Sequence, residues 1–445
     1  MDKEKYPFGM IGLGVRGRNL MLNMGDHDFA VIGYDKNPRS VRQLNQDAGE
    51  RRISAVSNFA KFIRALQIPR TILLMIPEGP VVDTIIADLL QTLEPNDLII
   101  DGSNSHYQDT ELRQKTLMER KILYLGAGIS GGEREVRHGP SIMIGGSRKA
   151  YRRVKHVFEA ISAKVDGEPC VTYLGPKASG HYINMVHNGI EHSLMQLISE
   201  TYDLMKSGLG LGDEQLHQVY QWWNQMELNS YLMEITAKIF SEADSRTEKR
   251  LLEAILEGTK QKGTGQWASA EAMDLQVPVP NIDIAIAMRN LFHFKDRHQV
   301  SSEMLPRIDT SFEGDQQHFV DTLRMALYAA TIITYAQGMA LLQAASDAYR
   351  YALDLESIAR AWRGGCIIQA ALLQEICMAY KSQPELPNLL FDPQLGQDVL
   401  RLREDLELVV RTAAQLGIPA PGFMVALAYL DGHRSAWSPA NLAQA

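Results

Sequence analysis

The stretch that most constrains this chain is its beginning. Phe8–Leu13 reads as a buried strand, and Gly12-Leu13-Gly14-Val15-Arg16-Gly17 opens a helix-like run over Arg18–Met24. A second apolar strand, Ala30–Tyr34, ends in Asp35, about twenty residues beyond the glycines. Glycines at this spacing between strand and helix permit a tight turn. They also let a pyrophosphate approach the unpaired N–H groups of the helix N-terminus. An acid at the end of the second strand is where a ribose hydroxyl is held. Glycine loops also arise for packing alone, but packing does not require strand, loop, helix, strand and acid together. The expectation is a nicotinamide-dinucleotide site, NAD or NADP. Gly12, Leu13, Gly14, Val15, Arg16 and Gly17 form its loop, and Asp35, followed by Lys36 and Asn37, meets the ribose. Asp35 favours a free 2′-hydroxyl while Lys36 would attract a 2′-phosphate, so the reading leans to NAD and leaves NADP open.

The alternation continues with short apolar strands at Arg70–Met75, Asp97–Asp101, Leu123–Ile129, Ser141–Ile144 and Val171–Gly175, separated by helical stretches. Strands alternating with helices imply a mostly parallel sheet covered on both faces, with ligands beyond the carboxyl ends of the strands. At those ends stand Ile76-Pro77-Glu78-Gly79, Asp101-Gly102-Ser103-Asn104-Ser105 and Gly128-Ile129-Ser130-Gly131-Gly132-Glu133. Turn chemistry explains each singly, but three at one end suit a polyhydroxy or anionic ligand. From about Ser179 the pattern becomes helical, with amphipathic runs at Leu194–Met205, Tyr231–Phe240 and Val320–Leu342. The expected architecture is an α/β N-terminal Rossmann-like domain over residues 1–178, followed by a large all-α domain over 179–445.

Within Gly180–Gln196 a polar stripe runs through Asn184, His187, Asn188 and Glu191, at helical offsets of three, four and seven. A solvated face is the competing reading. Against it, histidine and asparagine are poor helix formers and good ligand-orienting groups. Lys262 and Thr264 in Gln261-Lys262-Gly263-Thr264-Gly265, together with Arg289, are candidates for a phosphate or carboxylate.

With 445 residues the chain has room for two or three domains, and a formal charge of −8 without a Lys/Arg block argues against nucleic acid. Three scattered cysteines, Cys170, Cys366 and Cys377, suggest a reducing compartment and no metal site. There is no basic-then-apolar leader, and no apolar run nears the roughly 20 residues of a membrane span. The expectation is a soluble, cytoplasmic protein.

The segments GLGVRGRNL, IIDGSNSHY, GISGGE, GPSIMIGG, NMVHNGIE, QKGTG, YAQG, WRGGCII and PANL resemble those of 6-phosphogluconate dehydrogenases over nearly the whole length. The resemblance implies a nicotinamide-binding domain before an all-helical one, a homodimer, and oxidation of 6-phosphogluconate at C3 with release of carbon dioxide to give ribulose 5-phosphate. It implies that Asn104, Ser130, Gly131, Gly132, His187 and Asn188 hold the sugar acid, and that Lys262, Thr264 and Arg289 hold its phosphate. Glu191 matches the acid that protonates the enediol carbon, and Asn104 also neighbours the cofactor with Ile76, Pro77 and Glu78.

Several positions depart from that pattern. Asn184 stands where the family has the lysine base, and an amide can hydrogen-bond the C3 hydroxyl without accepting its proton. Losing a positioned base usually costs ~10²–10⁴-fold. His192 replaces a tyrosine, Asp35-Lys36-Asn37 replaces Asn-Arg-Thr, and Pro77-Glu78-Gly79 replaces Lys-Ala-Gly. Arg16 stands where methionine is common and could offset the anion Glu78. The family tail, which brings an arginine and a histidine to a partner's substrate, lies beyond Ala445. Three expectations follow: a working enzyme in which His187, His192 or Lys177 relays the proton; a catalytically impaired paralogue acting as a nucleotide- and sugar-acid-binding or regulatory dimerisation protein; or an interaction protein whose helical half dimerises with, or modulates, an authentic family member.

Overall fold

The structure, a computed structural model, describes residues 5–242, 263–293, 311–437 and 440–445, with 252, 301, 304 and 305 between them. It divides into two compact units. One comprises Met1–Met185 with Ala345–Gln369, the other Val186–Ala344 with Ala370–Ala445.

The first unit is built on strands β1 (Phe8–Ile11), β2 (Val31–Tyr34), β3 (Ile53–Val56), β4 (Thr71–Leu74), β5 (Leu98–Asp101), β6 (Leu123–Ile129) and β7 (Ile142–Gly146). The short pair β8 (Lys164–Val165) and β9 (Glu168–Pro169) makes a separate hairpin, and β10 (Val171–Tyr173) rejoins the main sheet. The eight-stranded order is β10-β7-β6-β5-β4-β1-β2-β3. Every neighbouring pair is parallel except β6–β7. The connection between them, residues 130–141, returns the chain antiparallel.

Every residue of β1, β4 and β5 is buried, as a sheet covered on both faces requires. Helices α1 (Val15–Asp26), α2 (Pro38–Asp47), α6 (Glu133–His138) and α7 (Arg148–Ile161) share one apolar core. Helices α3 (Phe59–Ala65), α4 (Pro80–Leu89) and α5 (Tyr107–Glu119) share the other. The edge strand β3 is absent from the sequence reading because its four residues alternate buried and half-buried and lack an apolar run.

The sequence reading divides the chain at 178/179. The compact units instead divide the next helix, α8 (Ser179–Asp203), after Met185, and return Ala345–Gln369 to the sheet. That return is specific: Ser141 N–H donates to Gly365 O (2.8 Å), Ser141 Oγ to Ala361 O (2.7 Å), and the buried Trp362 indole lies 3.3 Å from Met143 Sδ. α8 starts against the sheet because it begins with small residues. A Cβ on Gly180 would lie 2.5 Å from both Gly126 O and Gly145 N.

In the second unit the regular elements among the described residues are helices, around the long helix Gln316–Tyr349 as far as Ala344. The expected helices at 194–205, 231–240 and 320–342 fall within α8 and its terminal turn, Tyr231–Ser241 and Gln316–Tyr349. Against the expectation of no long apolar run, Gln316–Tyr349 contains 18 residues of mean hydropathy 1.4. That stretch is 83% buried within the protein, so its apolar character serves the helical core.

Candidate active site

The glycine turn separates packing from ligand binding residue by residue. Gly12 has φ +97°, and a Cβ there would lie 2.3 Å from Met75 O; one on Gly17 would lie 2.0 Å from Gly12 O. Both glycines are demanded by the chain's own backbone. A Cβ on Gly14 would meet nothing within 4 Å, and Gly14 begins α1 without a side-chain cap. Space and uncapped N–H groups at one place suit a pyrophosphate. At the end of β2 the half-buried Asp35 accepts from Leu13 N–H through Oδ2 (2.8 Å) and from Asn37 N–H through Oδ1 (2.8 Å). The carboxylate is therefore fixed beside the turn. Lys36 and Asn37 are exposed, and Asn37 spends its amide oxygen capping α2 through Arg39 N–H. These residues fit a nicotinamide dinucleotide. Ile76 is half-buried and Pro77 and Glu78 are exposed at the end of β4.

A second cluster surrounds the end of β6. Asn104, held at φ +56°, accepts from Ile129 N–H at 3.2 Å and reaches Ile129 O at 3.5 Å. Non-glycine residues rarely adopt that backbone, and those that do concentrate at ligand sites. Asn184, 2% exposed, packs its side chain on Gly128, where a Cβ would lie 2.4 Å from Asn184 Cβ. Its Oδ1 is buried without a partner. Arg16 does not stay over the glycine turn: its guanidinium donates to Ile129 O. Ser130 is buried, Gly131 has φ +103° against Gly365 O, and Gly132 N–H is taken by Glu135. Asp101 and His181 support this end from beneath. Asp101 accepts from Ser103 N–H, Ser105 and Tyr124, and its backbone carbonyl accepts from His181 Nε2 (3.0 Å).

In the second unit, α8 carries His187, Asn188, Glu191 and His192. His187 is fully buried, which pushes its imidazole down to about 4 and keeps it neutral. Its Nδ1 lies 3.1 Å from Asn188 Oδ1 and 3.9 Å from Glu191 Oε2. Donation from Nδ1–H to Asn188 Oδ1 leaves Nε2 as the basic nitrogen. His192 is likewise pushed down to about 4, by burial first and then by Arg289 and His187. The helix Thr264–Asp274 starts beside it: a Cβ on Gly265 would lie 2.2 Å from His192 Nδ1, so glycine there makes room for the ring. Burial lowers the Arg289 pKa and nearby Glu191 opposes that shift. The structure thus gathers His187, Asn188, Glu191, His192, Thr264 and Arg289 into one neighbourhood. Lys262 lies outside the described residues, and Lys177 is exposed, donating to Tyr349 O at 2.8 Å.

The stripe on α8 is therefore no solvated face. The roles of Gly128 and Gly265, and the reach of Arg16 to Ile129, have no signal in sequence, because each depends on what lies opposite.

A glycine turn at the switch from strand to helix, a fixed acid at the ribose position and a helical unit rich in buried polar groups define the class: a nicotinamide-dinucleotide-binding oxidoreductase fold. Residues 7–175 match the NAD binding domain of 6-phosphogluconate dehydrogenase, and residues 180–445 match the 6-phosphogluconate dehydrogenase C-terminal domain. The chain belongs to the 6-phosphogluconate dehydrogenase family. It is 44% identical over 444 residues to the NADP(+)-dependent, decarboxylating 6-phosphogluconate dehydrogenase of Bacillus subtilis, covering 99% of this chain and 94% of that one. It is 42% identical to decarboxylating 6-phosphogluconate dehydrogenase 2 of Saccharomyces cerevisiae, covering 100% and 91%. Among solved structures, Plasmodium falciparum 6-phosphogluconate dehydrogenase, studied apo, with NADP+ and with 6-phosphogluconate, superposes with a TM-score of 0.94 at 39% identity, covering 98% and 94%.

Proposed function

We propose that this chain catalyses the NAD(P)-dependent oxidative decarboxylation of 6-phosphogluconate to ribulose 5-phosphate and carbon dioxide. The division of labour follows the domains proposed from sequence, 1–178 for the nucleotide and 179–445 for the helical part. Gly12–Val15, Gly17, Asp35–Asn37 and Ile76–Glu78 hold the dinucleotide, which when bound accepts a hydride from the substrate carbon. Asp35, fixed by two backbone N–H groups, makes NAD the favoured form. Asn104, Ser130, Gly131, Gly132 and Asn184 serve the acid end of the sugar. Lys262, Thr264, Arg289 and His192 serve its phosphate.

Asn184 hydrogen-bonds the reacting hydroxyl but takes no proton. His187 takes it instead, through an Nε2 kept neutral by burial. Glu191, half-buried next to His187, returns a proton to carbon after carbon dioxide leaves. The observation that carries this reading is the side-by-side placement of a neutral buried histidine and a carboxyl group on α8. Its test is formation of reduced nicotinamide together with released carbon dioxide from 6-phosphogluconate. The reading requires both to appear in equal amounts, and both to fall together in Glu191→Gln.

Asn184 favours a second reading, a protein that binds dinucleotide and sugar acid with little turnover. Stoichiometric binding without steady-state turnover would select it. The same proposal includes a homodimer and a cytoplasmic setting. The latter is supported by three buried cysteines that stand outside any disulfide, which suits a reducing compartment.

A further inference from the structure

Arg16 is a half-buried cation without a counterion among the described residues. Its guanidinium rests on one neutral acceptor, Ile129 O, and its Nε is buried with no partner. Among the described residues no carboxylate forms an ion pair with it, and burial alone pulls its pKa down. Withdrawing a guanidinium from water in this way is costly unless an anion completes it. Packed from α8 against Gly128, next to Ile129 in the same strand, Asn184 presents the opposite deficiency, a buried acceptor Oδ1 with no donor. Arg16 and Asn184 are not bonded to each other, so neither cures the other. Asn104 brackets the same residue, Ile129, from a strained backbone.

A ligand that satisfies both groups must bring an anionic acceptor for a guanidinium and a hydroxyl donor for an amide oxygen. A hydroxy acid does this, and its planar carboxylate matches the arginine fork. We propose that Arg16 is a specificity-determining residue of the substrate site, binding the carboxylate of the sugar acid while Asn184 Oδ1 accepts from its hydroxyl. This rests on the proposed function, and it moves Arg16 from the cofactor to the substrate. On binding, the guanidinium exchanges the neutral Ile129 carbonyl for a charged acceptor.

The test compares equilibrium binding of 6-phosphogluconate with that of glucitol 6-phosphate, in which a hydroxymethyl group replaces the carboxylate. Binding of NADH is measured alongside as the control for folding and for the nucleotide site. The wild type should bind 6-phosphogluconate about 10–100-fold more tightly than glucitol 6-phosphate. Arg16→Met should erase that difference, leaving glucitol 6-phosphate and NADH within about twofold of wild type. Arg16→Lys should fall between, keeping charge but losing the fork. Asn184→Ala should weaken both sugars about five- to tenfold, since both retain the hydroxyl. Unchanged 6-phosphogluconate binding in Arg16→Met, with weakened NADH, would assign Arg16 to the pyrophosphate and overturn the proposal. Equal weakening of both sugars would also overturn it. Failure of the wild type to bind 6-phosphogluconate at all would remove the proposed function too, a result distinguishable from either.

Discussion

Asp35→Asn removes one negative charge from the position where the two nicotinamide cofactors differ. The wild-type carboxylate is held by Leu13 N–H and Asn37 N–H, each at 2.8 Å, so it does not swing away from an incoming 2′-phosphate. Two unit charges about 4 Å apart repel by about 4 kcal/mol at an effective dielectric near 20. Asp35 is half-buried and Lys36 and Asn37 are exposed; solvent and salt reduce the repulsion to roughly 1.5–3 kcal/mol. That corresponds to about a 10–100-fold preference for NAD over NADP in kcat/KM. Asparagine keeps one carbonyl oxygen for one of the two N–H groups, so the turn persists at a cost of about 1 kcal/mol. The preference should fall to about one, mostly through a lower KM for NADP. The assay is steady-state formation of reduced nicotinamide with each cofactor, repeated at high salt, where the wild-type preference should shrink. A wild type that prefers NADP tenfold, or a ratio untouched by the substitution, would refute the reasoning.

Glu191→Gln should lower kcat by about 10²–10³ with dinucleotide affinity unchanged, as stopped-flow and NADH titration can show. Gly17→Ala should destabilise the fold by at least about 2 kcal/mol, because its Cβ would lie 2.0 Å from a backbone oxygen, whereas Gly14→Ala should melt like wild type and bind NADH at least tenfold more weakly. Glu200 accepts from Gly422 and Phe423 N–H in the helical core, and burial pushes its carboxyl up to about 7 from 4.5. The folded state therefore holds that proton more tightly than the unfolded chain. Its contribution is complete below pH 4.5 and lost as pH rises through 7, about 3 kcal/mol in all. Urea denaturation of Glu200→Gln should show that pH-dependent component removed. His187 and His192 run the other way: with pKa values down to about 4, they contribute stability above pH 6.5 that is lost as pH falls toward 4. The acid limb of kcat/KM should accordingly lie well below 6.5.

Much of the first unit was legible because its signals are local. Buried parallel strands read as unbroken apolar runs, and a strand-to-helix glycine turn fixes its own geometry within six residues. The edge strand β3 escaped because an edge needs no continuous apolar run. The α8 stripe was visible at helical spacing, but its burial was not: that comes from Gly128 against Asn184 and from the residues packed around His187. Arg16 shows the gap most plainly. Sequence placed it in the cofactor loop, and only the folded chain sends it to Ile129.

What the amino-acid order determined by itself is the alternation of elements, the turn that only glycine can make, and which side chains share a helical face. Those properties depend on backbone sterics and periodicity over a few residues. The tertiary structure alone decided which polar groups are stranded without partners, which histidines are kept neutral, and that Ala345–Gln369 rejoins the sheet. Such outcomes depend on desolvation and on hydrogen bonds between residues far apart in the chain, and they exist only once distant segments are packed together.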